Sequence, residues 1–361
     1  LSSKKIQHPK IEALFTIDEE TGMTGAMGLE AGLLEGEILL NLDTEEDDEI
    51  GMGCAGGIDV TATRKYPEEV TPQKTIGFSI TVKGLNGGHS GMDIHKGLGN
   101  ANKIMNRLLF DGFSKFGLRI SEINGGSLRN AIPRESNAII AIDKISQKIF
   151  LRNIELLIAQ IKNEFSTIEP NLSIKIEEIS QLKNVVELGV QESFLRAMYA
   201  ALNGVYKMSP DVEGLVETSN NIAKVDLKNG KIQIGCLTRS SSESSKLDLA
   251  NSIRSSFELA GFEVEFSGAY PGWLPNMNSE ILQIVSNTYR KLFEKKPKIM
   301  ACHAGLECGI LGQNYPKMDM ISFGPNIKGA HSPDERAQIS STQKFWKLLQ
   351  EILKNIPEKN A

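Results

Sequence analysis

Residues 11–22 read Ile11-Glu12-Ala13-Leu14-Phe15-Thr16-Ile17-Asp18-Glu19-Glu20-Thr21-Gly22, an apolar run from Ile11 to Phe15 leading into three consecutive carboxylates. The run reads as a buried strand, and the acidic loop stands at its end. In open α/β sheets ligands collect outside the carboxyl ends of the strands. Packed like charges repel, so such a cluster is best tolerated where cations neutralise it. The pattern recurs at Ile38-Leu39-Leu40-Asn41-Leu42-Asp43, and near the C-terminus at Ile321-Ser322-Phe323-Gly324-Pro325, with His331 shortly after. Two carboxylate sites and one imidazole suggest a metal centre.

Working outward, a small and apolar stretch over about 25–34 predicts a helix between the strands 11–15 and 38–42, and a βαβ unit implies a parallel sheet. The acidic run Glu45 to Glu49 reads as a solvated loop, because consecutive carboxylates cannot all point at one ligand; Asp43, at the strand end, is the exception. From 58 to 270 the texture changes. Ile76, Phe78, Ile80 and Val82 alternate along 75–84, and helical spacing follows over 97–110. Strands at 118–123 and 137–142, a helix over 147–165 and a strand at 172–178 complete a βαββαβ order, the ferredoxin-like pattern. A second, partial copy comes next: a helix near 190–202, a hairpin of 221–228 and 231–237 across Asn229-Gly230, a helix near 246–259 and a strand at 262–266. After Tyr270-Pro271-Gly272-Trp273 the α/β texture returns, with a helix over 279–293, a strand at 298–301, a glycine-punctuated segment 303–312, a strand at 318–323 and a closing helix 341–356. The sheet begun at Ile11 is thus completed by the far end of the chain.

A length of 361 residues suits two domains, one inserted in the other. No run approaches the roughly eighteen apolar residues that a membrane span needs, and the first residues match neither a signal nor a transit peptide. A soluble, cytoplasmic protein with no membrane partner is expected. Cys54, Cys236, Cys302 and Cys308 are too few and scattered for a disulfide framework, and they lack the spacing of a structural zinc site, so they read as reduced thiols. A net charge of −5 argues against nucleic acid as a partner.

Several motifs, in order over nearly the whole chain, resemble the aminoacyl-histidine dipeptidases. These are cytosolic two-zinc exopeptidases related to carnosinases and to the peptidase T and succinyl-diaminopimelate desuccinylase group. The motifs include Thr16 to Met23, Asn41 to Glu46, Gly53 to Gly57, Gly84 to Gly91, Gly97 to Asn102, Asn124 to Arg134, Gly268 to Trp273, His303 to Gly309 and His331 to Glu335. The resemblance implies an α/β fold with a zinc-exopeptidase-like, mostly parallel sheet whose N-terminal part is missing. It implies a catalytic portion over 1–57 and 271–361, and an inserted α+β ferredoxin-like lid and dimerisation domain over 58–270. It also implies dipeptide hydrolysis of the Xaa-His, β-alanyl-histidine type. Glu19 matches the general base, and Glu20 a ligand of one zinc that is shared with His331. Asp43 matches a ligand of the other zinc, with manganese or cobalt as possible replacements. His89 matches a lid histidine that in related enzymes reaches into the partner subunit's site and helps hold the oxyanion, Asn130 and Arg239 match substrate-binding lid positions, and Gly305 lies in a loop near the substrate's C-terminal end. A dipeptidase must recognise a free carboxylate, and arginine's planar fork suits that. Relatives pair through the lid, so a homodimer is expected, with 75–84 and the helix after Gly97 as candidate surfaces.

Two elements of the family pattern do not appear: an upstream His-x-Asp and the Asp that bridges both metals. His8, followed by Pro9, does not replace them. The chain is then expected to be either a C-terminal piece of a longer enzyme or a product that has lost catalysis. Glu20, Asp43 and His331 give one metal two ligands and the other one, where catalytic zinc has three, so weak metal binding and negligible activity are expected. Each feature also has a plain reading: the acidic loop as a solvated turn, His331 as a capped turn, His89 as a loop residue, His95 as structural. Other readings of the whole are a non-catalytic dimerising or peptide-binding relative, and an N-acyl amino acid deacylase.

Overall fold

Phe78, Ile80 and Val82 alternate along the strand Thr75–Lys83 and all three are buried, because successive side chains of a strand point to opposite faces. In the computed structural model, which describes residues 6–19, 22–180, 182–330 and 333–357, this strand lies inside a nine-stranded antiparallel sheet. The order is Ser173–Ile179, Thr75–Lys83, Ser136–Asp143, Arg119–Gly125, Val216–Lys228, Lys231–Ser240, Gly56–Lys65 and Glu263–Tyr270, with Gly204–Met208 beside Val216–Lys228.

Two ferredoxin-like units build this large sheet. The first four strands, with the helices Ala101–Phe116 and Gln147–Glu164, follow the predicted βαββαβ order. The second copy is complete rather than partial. Its first strand is Gly56–Lys65, and the rest comes after the whole first unit: the helix Leu188–Ala200, the hairpin strands Val216–Lys228 and Lys231–Ser240, the helix Glu243–Glu258 and the strand Glu263–Tyr270. At the hairpin Asn229 and Gly230 have φ of 51° and 71°, as a type I′ turn requires. The helix Ala101–Phe116 starts at Asn100, whose side chain accepts from the amides of Asn102 and Lys103. It buries Ile104, Met105, Leu108 and Leu109 in the core of the sheet, each worth roughly 1.5–3 kcal/mol.

The small sheet has the order Ile38–Asn41, Asp319–Ser322, Glu49–Cys54 and Lys298–Cys302. Both outer pairings are parallel, while Ser322 meets Gly51 in an antiparallel contact, so this sheet is mixed. Ile50, Met52, Ile321 and Phe323 pack against Val285 and Tyr289 of the helix Glu280–Phe293 and Leu348 and Ile352 of the helix Ile339–Asn355.

Three expectations are corrected. Residues 11–15 form no strand: among the described residues Ile38–Asn41 pairs only with Asp319–Ser322, and Phe15 is 88% exposed. An apolar run supplies surface to bury but no partner for its backbone. The helix expected over 25–34 is the single turn Thr24–Met27, since Gly25, Gly28 and Gly32 weaken helix propensity along the stretch; the βαβ unit therefore does not form there. The acidic run is not wholly solvated. Glu49 opens a strand, and Asp47 and Asp48 pair with Lys344 and Lys298 at 2.7 and 3.1 Å. The strand Thr75–Lys83 has both edges hydrogen-bonded, which leaves no edge there for a second chain. No helix among the described residues is long and apolar enough to cross a membrane.

Candidate active site

The two parallel strands Ile38–Asn41 and Asp319–Ser322 end together, tied by Asn41 Nδ2 to Ser322 Oγ at 3.2 Å and by Thr44 Oγ1 to Ser322 Oγ at 2.8 Å. Asp43 is exposed at this end, and its charge opposes ionisation of the Cys302 and Cys308 thiols, which burial already pushes up. The loop that carries Glu19 is compact: Asp18 has φ 62°, its carbonyl accepts from the Gly22 and Met23 amides, and Thr24 Oγ1 donates to Asp18 Oδ2 at 2.7 Å. Thr16 Oγ1 donates to Glu307 Oε2 at 2.8 Å, and this bond fastens the loop to the helix Glu307–Asn314. Glu307 Oε1 is buried there without a hydrogen-bond partner among the described residues. Glu20 and His331 lie outside the described residues. No group of three or more His, Cys, Asp or Glu among the described residues is gathered to hold a metal, so on those residues alone the donor set falls short of a zinc site.

The structure does bring together His89, Asn130, Arg239 and Gly305. His89 ends the two-residue strand Gly88–His89, opposite Ala131, and the Ser90 amide donates to the Asn130 carbonyl at 2.7 Å. Asn130 therefore joins the cluster through its backbone. His89 Nδ1 accepts from the amides of Gly91 and Met92 at 3.2 and 3.0 Å. With Nδ1 an acceptor, the neutral ring carries its proton on Nε2 and presents a donor. Burial lowers the His89 pKa below 6.5 and the Arg239 charge lowers it further, so the neutral form dominates near neutrality.

Arg239, near the end of Lys231–Ser240, is only 4% exposed, yet its partners are neutral oxygens: Tyr270 Oη at 2.6 Å from Nη1, and Ser90 Oγ at 3.4 Å from Nε. Among the described residues no carboxylate pairs with it. Beside it His303 is 5% exposed, with Nε2 2.7 Å from Ser219 Oγ. Burial, chiefly, and the Arg239 charge take the His303 pKa down to about 3. Gly91 permits this proximity: a Cβ there would lie 2.0 Å from the His303 carbonyl oxygen. Gly305 in turn lies against the Tyr270 ring.

Several contributors were not singled out by the sequence. Ser90, Ser219 and Tyr270 are ordinary polar residues whose importance depends on which strand faces which. Asn221, 1% exposed, holds the Arg129 and Ala131 carbonyls and so shapes the turn that carries Asn130. The available signals were the Gly84 to Gly91 motif around Ser90 and the Gly268 to Trp273 motif around Tyr270.

A family model described as peptidase family M20/M25/M40 matches residues 1–355. The cytosol non-specific dipeptidase of Escherichia coli (strain K12) is 44% identical over 361 residues, which cover 99% of this chain and 74% of that protein. The crystal structure of an aminoacylhistidine dipeptidase from Vibrio alginolyticus matches with a TM-score of 0.96 at 46% identity, over 99% of this chain and 73% of that one. The chain thus spans about three quarters of the length of each of these relatives.

Proposed function

The chain belongs to peptidase family M20/M25/M40, and from that premise we propose that it acts on dipeptides with a free C-terminal carboxylate, histidine-ended ones of the β-alanyl-histidine type among them. The observation that carries this reading is Arg239, a buried guanidinium whose partners among the described residues are all neutral. A buried charge without a counter-charge is costly, and a substrate carboxylate in bidentate contact would relieve that cost.

In this reading the scissile carbonyl lies near His89, whose Nε2–H donates to the oxygen as negative charge develops. Glu19, by resemblance, takes a proton from the attacking water and passes it to the leaving amine. Metal ions, zinc by resemblance with manganese or cobalt as alternatives, would supply a more acidic water and polarise the carbonyl when bound. Their holders would be Glu20, Asp43 and His331. Residues 58–270 would act as the lid and as the dimerising portion, and 1–57 with 271–361 as the catalytic portion, in the cytoplasm.

A polypeptide of these 361 residues alone offers three such holders, and we propose that it binds zinc weakly and turns over negligibly. Calorimetric titration with zinc checks this; two tight sites with turnover of β-alanyl-histidine would refute it. The carboxylate reading has its own test, the affinity of the same polypeptide for β-alanyl-histidine against its C-terminal amide, and equal affinities would end it. An N-acyl amino acid carries the same carboxylate, so a panel including such compounds separates the dipeptide reading from deacylation.

A further inference from the structure

Arg239, Gly57 and Tyr270 share one rung of the large sheet: Arg239 faces Gly57, and Gly57 faces Tyr270 on the next strand. Residues directly opposite in an antiparallel ladder project to the same face. The outer two therefore reach toward each other over the middle one, and only a residue without a side chain leaves them room. A Cβ on Gly57 would lie 2.6 Å from both Cζ and Oη of Tyr270. Through this gap Arg239 Nη1 donates to Tyr270 Oη at 2.6 Å.

The rung depends on a bulge. Ser267 faces Asp59, so an unbroken ladder would set Ala269 opposite Gly57; one extra residue, with Gly268 at φ 56°, brings Tyr270 there instead. A shift of one residue exchanges the faces of a strand, and bulges re-aim side chains in this way. Two more contacts fix the tyrosine. Its ring packs against Gly305, where a Cβ would come within 3.0 Å of Cε2, and its carbonyl accepts at 2.7 Å from Lys246, a lysine 1% exposed and paired with Glu243.

We propose that Tyr270 is a positioning residue: it aims the Arg239 guanidinium at the substrate carboxylate and couples that arginine to the Gly305 loop. This rests on the carboxylate reading of Arg239 given above. A phenol oxygen suits the task because it orients the guanidinium without neutralising it, whereas a carboxylate in its place would satisfy the charge that the substrate has to meet.

Tyr270→Phe removes one oxygen and keeps the ring. In the 361-residue protein, phenylglyoxal modification of Arg239, followed by mass spectrometry, is expected to speed up about tenfold in this variant, the scale of one hydrogen bond to a charged group. The preference for β-alanyl-histidine over its C-terminal amide is expected to fall by about the same factor. An unchanged modification rate with an unchanged melting temperature overturns the proposal. If Tyr270→Phe melts early, Gly57→Ala, which keeps the hydroxyl and displaces the ring, must show both changes, and unchanged values there overturn it equally. Faster modification in the variant of a protein that shows no preference for the carboxylate supports the hold of Tyr270 on Arg239, while the carboxylate reading itself falls.

Discussion

Ser219 Oγ lies 2.7 Å from His303 Nε2, which joins the large sheet to the segment that follows Lys298–Cys302. Because burial holds the His303 pKa at about 3, against 6.5 for a free imidazole, the folded protein keeps the ring neutral while the unfolded chain protonates it. Unfolding thus takes up a proton between those two values, and the protein loses stability as pH falls through 6.5 toward 3. Between pH 7 and pH 5 this one group should cost about 2 kcal/mol. Urea unfolding at the two pH values, on the protein and on His303→Gln, measures it; the variant should lose less by about that amount, and an equal loss would contradict the argument.

His89 should titrate below 6.5 in a proton NMR titration, because burial, and after it the Arg239 charge, both favour the neutral ring. In Arg239→Met the second of these is gone, so the midpoint should move up toward 6.5. A midpoint that ignores this substitution would separate the two residues.

Arg239→Met should weaken binding of β-alanyl-histidine by about tenfold to a hundredfold, while leaving the affinity for its C-terminal amide unchanged. The melting temperature should not fall, since an apolar side chain in place of an uncompensated buried charge is often neutral or stabilising. Calorimetry with both ligands and a thermal melt provide the check; an equal loss for both ligands would mean that the arginine does not read the carboxylate.

Gly91→Ala would place a methyl group 2.0 Å from the His303 carbonyl oxygen. The backbone on one side must move, at a cost of about 1–3 kcal/mol. The expected result is a lower denaturation midpoint together with a disturbed His303 resonance. A variant as stable as its parent would show that this contact is loose.

Where period and turn chemistry were strong, the sequence was legible: the buried alternation of Phe78, Ile80 and Val82 and the Asn229-Gly230 hairpin stand where expected. Ile11 to Phe15 failed because hydrophobicity names a surface and not a hydrogen-bonding partner. Gly56–Lys65 escaped notice because its unit resumes only at Leu188, so no neighbouring element in the sequence marks it as a first strand. Around Arg239 the arginine itself was named by resemblance, but Tyr270, Ser90 and Ser219 were not. Their roles come from cross-strand register and from a bulge, neither of which leaves a local mark.

The interleaving of the two ferredoxin-like units sets an order of assembly. Gly56–Lys65 is made early, yet its neighbours Lys231–Ser240 and Glu263–Tyr270 are made more than a hundred residues later, after the first unit is whole. Such distant contacts slow folding. While translation continues, the waiting strand is a bare template for intermolecular pairing. Ile38–Asn41 and Glu49–Cys54 wait longer still, for Asp319–Ser322 and Lys298–Cys302, so chaperone demand during synthesis should concentrate on these three strands.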